Sequence, residues 1–245
     1  DFILMHNSAD VRHTALNILR GAFEYQGQKC SAVSRSYIPQ SRWDEMKFLL
    51  LEEGRKIEYG DISDFKFAGG AIIDESAYRK IVSYLDFAKE HSDKYEILMG
   101  GNYSENEGWF IEPTIILSMD PQSKLLEEEI FGPVLTLYVY PDDHFDKVLT
   151  LIDETSPYGL TGAVFAKDRS AITLAEEKLR YAAGNFYIND KPTGAIVNRQ
   201  PFGGARASGT NDKAGSKLNI LRWLSPRTIK ETNLKISQWQ RSFMG

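Results

Sequence analysis

The sequence of 245 residues contains one cysteine, Cys30, so it has no internal disulfide framework. It lacks an apolar run long enough to cross a bilayer, and its formal net charge of −5 gives no overall basic field. Its four histidines lack the spacing of metal ligands, so we predict no metal site; they are His6, His13, His91 and His144. These absences predict a soluble, intracellular protein with neither nucleic acid nor membrane as a partner.

The composition, 42% hydrophobic and 26% charged, is typical of a folded protein, and no repeat or Pro/Gly-rich linker divides the chain. We therefore expect one domain over residues 1–221 and a C-terminal tail over residues 222–245. The start, Asp1-Phe2-Ile3-Leu4-Met5-His6, has neither an initiator methionine nor a leader and resembles a strand entered partway through a domain. A fragment or a processed chain is the expected explanation.

Helical and strand-like periods alternate along the chain. Apolar spacing predicts a helix capped by Ser8 and ending near Tyr25, then a strand over residues 31–38. Ser41 followed by Asp44 resembles a capping box for a second helix ending near residue 55. A helix is also predicted over 74–91, then strands at 96–99, 110–117, 134–140, 162–166 and 185–188, with helices over 143–154 and 170–181. This alternation predicts an α/β fold, an open sheet with flanking helices.

Cys30 lies between the first predicted helix and the strand that follows it. A thiol is nucleophilic as thiolate, and a helix end or a nearby cation favours that form. Lys29 adjoins Cys30 and Arg35 follows it closely. Free cysteine is also among the most often buried residues, so the local sequence alone favours an inert core thiol over a nucleophile.

Three further segments are candidate binding loops. Residues 127–133 place three glutamates before an Ile-Phe-Gly-Pro turn, a pattern that a solvated acidic helix end also explains. Residues 185–195 run from a predicted strand into a polar loop, and the carboxyl ends of such strands commonly carry sites. Residues 201–209 form a glycine-rich loop with one aromatic, Phe202, and glycine lets a backbone approach a ligand closely. Most glycine-rich loops are simply turns.

Taken together, these segments resemble the catalytic domain of the aldehyde dehydrogenase superfamily. The matching motifs are G-Q-K-C at 27–30, E-E-I-F-G-P at 128–133, G-N-F-Y-I-N at 184–189 and P-F-G-G with a later S-G at 201–209. Within the superfamily, residues 158–165 and 182–215 resemble the subfamily that oxidises L-glutamate γ-semialdehyde, formed from Δ1-pyrroline-5-carboxylate, to L-glutamate in proline catabolism. The likeness covers essentially the whole chain and is greatest to the monofunctional eukaryotic form, which implies a location in the mitochondrial matrix.

The resemblance implies a reaction and the residues for it. Cys30 would attack the aldehyde carbon, its backbone amide would help to hold the oxyanion, and hydride would pass to NAD+ to leave a thioester that water hydrolyses. Glu129 matches the carboxylate that binds the nicotinamide ribose, and Phe131 matches the aromatic residue near the nicotinamide. Two hydroxyl groups of a ribose suit a carboxylate acceptor.

The resemblance also implies a subsite for the α-carboxylate of the substrate. Ser31 and the amides of Gly194 and Ala195 match the family's anchor, and Phe202 would pack on the aliphatic chain. Backbone amides in a loop can bind an anion without a local cation.

Family members place a dinucleotide-binding Rossmann domain before this region, and that domain supplies most NAD contacts, the oxyanion-hole asparagine and the glutamate that activates water. The sequence lacks this domain, so we expect a chain that folds but has little or no activity alone. Two alternatives stay open: another reductase of the same fold that passes its thioester to phosphate or CoA, and a non-catalytic oligomerisation module. For the latter, the tail could add a strand to a neighbour through apolar residues such as Trp223, Ile229, Leu234, Ile236 and Trp239. We expect the full-length protein to be a homo-oligomer, a dimer.

Overall fold

The computed structural model describes residues 1–244 as an α/β fold. The strands are β1 (Phe2–Met5), β2 (Arg35–Pro39), β3 (Tyr95–Met99), β4 (Tyr103–Ser104), β5 (Phe110–Ile111), β6 (Thr114–Ser118), β7 (Val134–Tyr140), β8 (Tyr158–Gly159), β9 (Thr161–Phe165), β10 (Asn185–Ile188) and β11 (Ala205–Arg206). The helices are α1 (Val11–Phe23), α2 (Trp43–Gly54), α3 (Glu75–Glu90), α4 (Lys124–Glu127), α5 (Phe145–Thr155), α6 (Arg169–Lys178) and α7 (Lys217–Leu221). Short 3-10 turns cover Glu24–Gly27, Gln40–Arg42, Asp142–His144 and Ser242–Met244.

Seven strands form one open sheet in the order β10-β9-β1-β2-β7-β6-β3. Neighbouring strands are parallel except for the edge pair β3 and β6, which is antiparallel. Two small antiparallel pairs, β8 with β11 and β4 with β5, lie outside this sheet. The predicted α/β open sheet with flanking helices is confirmed.

Helices cover both faces of the sheet, as the apolar sequence of β1 requires. Ile3 and Met5 pack in a core with α1 and α2, whereas Phe2 and Leu4 pack in a second core with α5 and α6. Successive side chains of a strand point to opposite faces, so a strand buried on both faces reads as a continuous apolar run. A third core packs α3 against β6 and Ile130.

Two predicted helix caps are wrong. Helix α1 is capped by Asp10, whose carboxylate accepts from the His13 amide at 2.9 Å. The hydroxyl of Ser8 instead accepts from the amides of Lys167 and Asp168, both at 3.0 Å. Ser41 likewise leaves α2 without a side-chain cap, because its amide and hydroxyl bind the carboxylate of Asp142.

Two predicted strands have different bounds. The strand expected over residues 31–38 begins at Arg35, so Cys30 and Ser31 lie in a turn before β2. The strand expected over residues 110–117 is split into β5 and β6 by Glu112 and Pro113, and a proline lacks the N–H that a continuous ladder needs. The remaining predicted elements match within a few residues.

Beyond α7, residues 222–244 contain no strand and one short 3-10 turn. The apolar side chains of the tail lie in solvent: Trp223, Ile229, Leu234, Ile236 and Trp239 are all at least 75% exposed. Within residues 1–244, no helix has the length and apolar character needed to cross a membrane. Nor does that part of the chain gather three His, Cys, Asp or Glu side chains around a common point as a metal centre would.

Candidate active site

Cys30 lies in a turn between the 3-10 segment Glu24–Gly27 and β2, and its side chain is exposed. The burial of this thiol, which the local sequence alone favoured, is therefore wrong. Within residues 1–244, the backbone amide of Cys30 donates no hydrogen bond to the protein. An exposed thiol beside a free amide is the arrangement that a nucleophile and an oxyanion donor need.

Gly27 brings this turn against the loop of residues 129–132. Its φ of +65° is in the left-handed region, and a Cβ at this position would collide with the carbonyl oxygen of Gly132. Glycine therefore satisfies two requirements here, an unusual backbone conformation and a close approach of two chains. The glycine of the G-Q-K-C motif thus explains how Cys30 meets the acidic loop.

A cleft of about 240 Å³ lies between the turn and the loop, and Cys30, Glu129 and Phe131 all line it. Two hydrogen bonds from side chains of helix α3 hold this loop in place. The ammonium of Lys80 donates to the Glu129 carbonyl at 2.6 Å, and the Tyr84 hydroxyl donates to the Glu128 carboxylate at 2.5 Å. Burial and this bond to Glu128 raise the pKa of Tyr84 to about 12, so its phenol remains a donor at neutral pH.

A second cleft of about 530 Å³ lies on the other side of the thiol. Cys30, Ser31, Gly194, Ala195 and Phe202 line it. Every residue predicted for cofactor or substrate therefore lies in one of two clefts, and Cys30 lines both. The thiol is placed where a substrate in one cleft and a cofactor in the other would meet.

The two sides of the site come from opposite ends of the sheet. Cys30 precedes β2 and so lies at the amino end of the parallel strands, whereas the loop of residues 189–195 leaves the carboxyl end of β10. The loop reaches Cys30 by running along α1. His13, near the start of this helix, contacts the Asn189 carbonyl at 2.9 Å, and Glu24, just past its end, pairs with Lys191.

The predicted carboxylate subsite contains a residue that the motifs did not single out. The Ser31 hydroxyl donates to the hydroxyl of Thr193 at 3.0 Å, and both side chains are buried. In the described chain, the amides of Gly194 and Ala195 donate to no protein atom. Two adjacent free amides near a hydroxyl pair form a cradle that an anion can occupy.

The loop that carries Phe202 is held by the motif before it. Asn185 accepts from the Gly203 amide at 3.2 Å, and the half-buried ammonium of Lys213 donates to the Gly203 carbonyl at 3.0 Å. Gly184 lets the two chains touch, since a Cβ there would collide with the carbonyl oxygen of Gly203. The glycine of the G-N-F-Y-I-N motif is thus explained by its close approach to the P-F-G-G motif.

The two cations close to Cys30 in sequence bind elsewhere. The Lys29 ammonium pairs with Glu24 at 3.1 Å, and the buried guanidinium of Arg35 donates to the Leu126 carbonyl at 3.2 Å. Burial raises the pKa of Glu24, but the hydrogen bonds and charges of Lys191 and Lys29 outweigh burial, so this pKa lies below its ordinary value. Glu24 is a surface acid at a helix end, and no sequence signal marked it.

Comparisons with known proteins show the family. The model of the aldehyde dehydrogenase family matches residues 1–229. The mitochondrial Delta-1-pyrroline-5-carboxylate dehydrogenases of Dictyostelium discoideum and Homo sapiens are 54% and 51% identical to the chain, over 100% of its length and 44% and 43% of theirs. A crystal structure of the Delta-pyrroline-5-carboxylate dehydrogenase from Mycobacterium tuberculosis bound with NAD is 49% identical, with a TM-score of 0.86, over 100% of the chain and 44% of that protein. The chain thus spans under half the length of these relatives.

Proposed function

Because the chain belongs to the aldehyde dehydrogenase family, we propose that it carries the thiol-bearing part of an enzyme that oxidises L-glutamate γ-semialdehyde to L-glutamate with NAD+. The observation that carries the proposal is the position of Cys30, an exposed thiol shared by two clefts of different chemistry. Relatives at about half identity are named for this activity, which supports the choice of substrate.

The cleft beside Glu129 and Phe131 fits the nicotinamide end of NAD+. The exposed carboxylate of Glu129 can accept from two ribose hydroxyls, and the partly exposed ring of Phe131 offers an apolar surface to a flat heterocycle. When bound, NAD+ supplies a hydride acceptor. Lys80 and Tyr84 keep the loop in place from the side of α3.

In this reaction the Cys30 thiolate attacks the aldehyde carbon, and the free amide of Cys30 stabilises the negative charge that develops on the oxygen. Loss of hydride from that carbon leaves a thioester, and water releases the carboxylic acid and the thiol. The amides of Gly194 and Ala195 hold the substrate carboxylate while Phe202 packs on its chain.

The remaining features of the proposal concern the whole protein. Residues 1–221 form the catalytic domain, and residues 222–245 form a tail that joins two copies in a homodimer. Most NAD contacts come from a separate dinucleotide-binding domain. The relatives named as mitochondrial support a matrix location.

The test is Cys30→Ser in the full-length gene product. Since a hydroxyl is a far weaker nucleophile, NADH formation from glutamate γ-semialdehyde should fall at least about a thousandfold. The exposed site predicts little change in thermal stability, which a melting curve checks. Turnover at the wild-type rate by Cys30→Ser would reject the thiol mechanism.

A product assay separates the proposal from its main alternative. Wild-type protein should release free L-glutamate. If acyl-phosphate or acyl-CoA accumulates instead when phosphate or CoA is added, the chain belongs to a reductase of the same fold. Incubation of the chain of residues 1–245 by itself should give little or no NADH, and full turnover there would contradict the need for a separate cofactor domain.

A further inference from the structure

Hydrogen bonds and an ion pair hold the polar loop after β10 against α1 and the residue that follows it. Three residues hold it there: His13 and Asn17, which lie one turn apart on the same face of α1, and Glu24, which directly follows the helix. Asn17 accepts from the amide of Lys191 at 3.1 Å, and Glu24 accepts from its ammonium at 3.0 Å. Lys191 is therefore bound at both its backbone and its side chain.

The ammonium of Lys191 also determines the orientation of one peptide in the second cleft. It donates to the Thr193 carbonyl at 3.4 Å and would lie 3.3 Å from a Cβ on Gly194. The Thr193 carbonyl and the Gly194 amide belong to the same peptide, which is trans, so they point in opposite directions. The Gly194 amide thus points away from Lys191, and Gly194 lines the cleft that contains Cys30.

Glu24 connects this peptide to the nucleophile turn. One carboxylate oxygen, Oε2, accepts from Lys191 at 3.0 Å and from Lys29 at 3.1 Å. Lys29 directly precedes Cys30. An ammonium has three donors, so Lys191 can bind Glu24 and the Thr193 carbonyl at the same time. The two sides of the second cleft are therefore tied to a single atom.

We propose that Lys191 is a positioning residue that sets specificity for aldehydes with a distal carboxylate. It fixes the Thr193–Gly194 peptide with its amide towards the substrate anion, and Glu24 holds Lys191 in that position. The inference rests on the proposed function, since it concerns how the same cleft selects its substrate. Lys191 does not itself touch the substrate.

The variant Lys191→Met keeps most of the apolar stem and removes the ammonium. In the full-length protein, we expect the KM for glutamate γ-semialdehyde to rise about tenfold, the loss typical of a charge-assisted hydrogen bond, with kcat changed by less than about twofold. For pentanal, an aldehyde of equal chain length without the carboxylate, kcat/KM should not change. Lys191→Arg, which keeps the cation and its donors, should recover most of the affinity.

The matched control is Lys47→Met, which breaks an ion pair of similar length, 3.3 Å to Glu96, on α2 away from both clefts. It should change neither substrate's kinetics. A readout that does not need turnover is the binding of L-glutamate by calorimetry, where Lys191→Met should raise Kd about tenfold and Lys47→Met should leave it unchanged.

The outcomes separate this inference from the proposed function. If the wild type oxidises the semialdehyde but Lys191→Met keeps its KM and its affinity for L-glutamate, the inference is overturned and the function stands. An equal loss with pentanal also overturns it, because that result indicates general damage. If the wild type shows no oxidation but binds L-glutamate in a Lys191-dependent way, the inference stands and the function fails. A wild type that binds no L-glutamate overturns the inference.

Discussion

At the scale of single residues, the site depends on glycines at positions where a larger side chain would strain the backbone or collide with a neighbouring chain segment. Gly27 combines a φ of +65° with contact against the Gly132 carbonyl, whereas Gly215 has a similar φ of +73° and no heavy atom within 3.4 Å of its Cβ position. An alanine at Gly215 would therefore have backbone strain alone, whereas an alanine at Gly27 would have backbone strain and a steric collision. A left-handed conformation costs an alanine about 1–2 kcal/mol, and a clash with backbone adds to this cost.

We expect Gly215→Ala to lower the free energy of unfolding by about 1 kcal/mol and Gly27→Ala by about 3 kcal/mol or more. Urea denaturation of the two variants measures both values. Gly27→Ala should also slow the alkylation of Cys30 by iodoacetamide or make it heterogeneous, because the turn must move. Equal destabilisation by the two variants would mean that the Gly132 contact has no cost.

The sequence identified most site residues through motifs, since Cys30, Glu129 and Phe202 lie in glycine-rich patterns of recognisable spacing. It did not identify Glu24 and Lys191, because their ion pair joins residues separated by 167 positions. Lys191 lay inside a predicted polar loop, but nothing in the sequence indicated which helix that loop crosses. Ion pairs between distant residues depend on the topology of the fold, and the topology is difficult to predict from a single sequence.

At the scale of elements, the helices and strands follow from apolar periodicity, but their first residues do not. Ser8 and Ser41 have the chemistry of a cap and yet bind distant partners, Lys167 and Asp142. Asp74 was placed correctly at the start of α3, where its carboxylate accepts from Ala77 at 2.8 Å. A serine or aspartate can either cap its own helix or bind a residue that is distant in the sequence. The local sequence shows the first possibility but not the second, so it does not determine which one forms.

At this scale, we expect helix α3 to affect cofactor binding, because it holds the loop of residues 129–132 that we assign to the cofactor. Lys80→Met removes the donor to the Glu129 carbonyl and leaves the Glu129 side chain intact. We expect the KM for NAD+ to rise several-fold, about three to ten, while the KM for the aldehyde stays unchanged. Steady-state kinetics with each substrate varied in turn measure this difference.

The control on the same helix is Lys89→Met, which breaks an exposed pair with Asp86 at 3.7 Å and touches neither cleft. Exposed pairs contribute little, so both KM values should stay at the wild-type level. If Lys80→Met and Lys89→Met behave alike, the bond between α3 and the Glu129 loop does not affect cofactor binding.

At the scale of the whole molecule, the order of the sheet explains why one thiol can serve two clefts. The β2 strand lies between β1 and β7, so the turn before it faces the loop that leads into β7 on one side. The loop after β10 arrives on the other side by way of α1. Alternating elements in the sequence predict an open sheet, but not this strand order, because parallel strands can be joined in several orders.

At the same scale, the exposed apolar residues of the C-terminal tail bear on how the protein assembles. Five of the tail's large apolar side chains are at least 75% exposed; they are Trp223, Ile229, Leu234, Ile236 and Trp239. Several large apolar side chains exposed along one short segment are typical of a surface that another chain covers. Deletion of residues 223–245 keeps Arg222 and its ion pair with Asp212, and none of the deleted residues that the structure describes is buried in the core.

We therefore expect the deletion in the full-length protein to shift the melting temperature of the catalytic domain by less than about 2 °C, and to change the mass in solution from dimer to monomer. Light scattering after gel filtration measures the mass. The matched control keeps the chain length and replaces five apolar tail residues by serine: Trp223, Ile229, Leu234, Ile236 and Trp239. It should also give monomers, because the proposed interface depends on apolar burial. A full-length protein that is already monomeric, or a deletion that remains dimeric, would contradict the assignment of the tail to assembly.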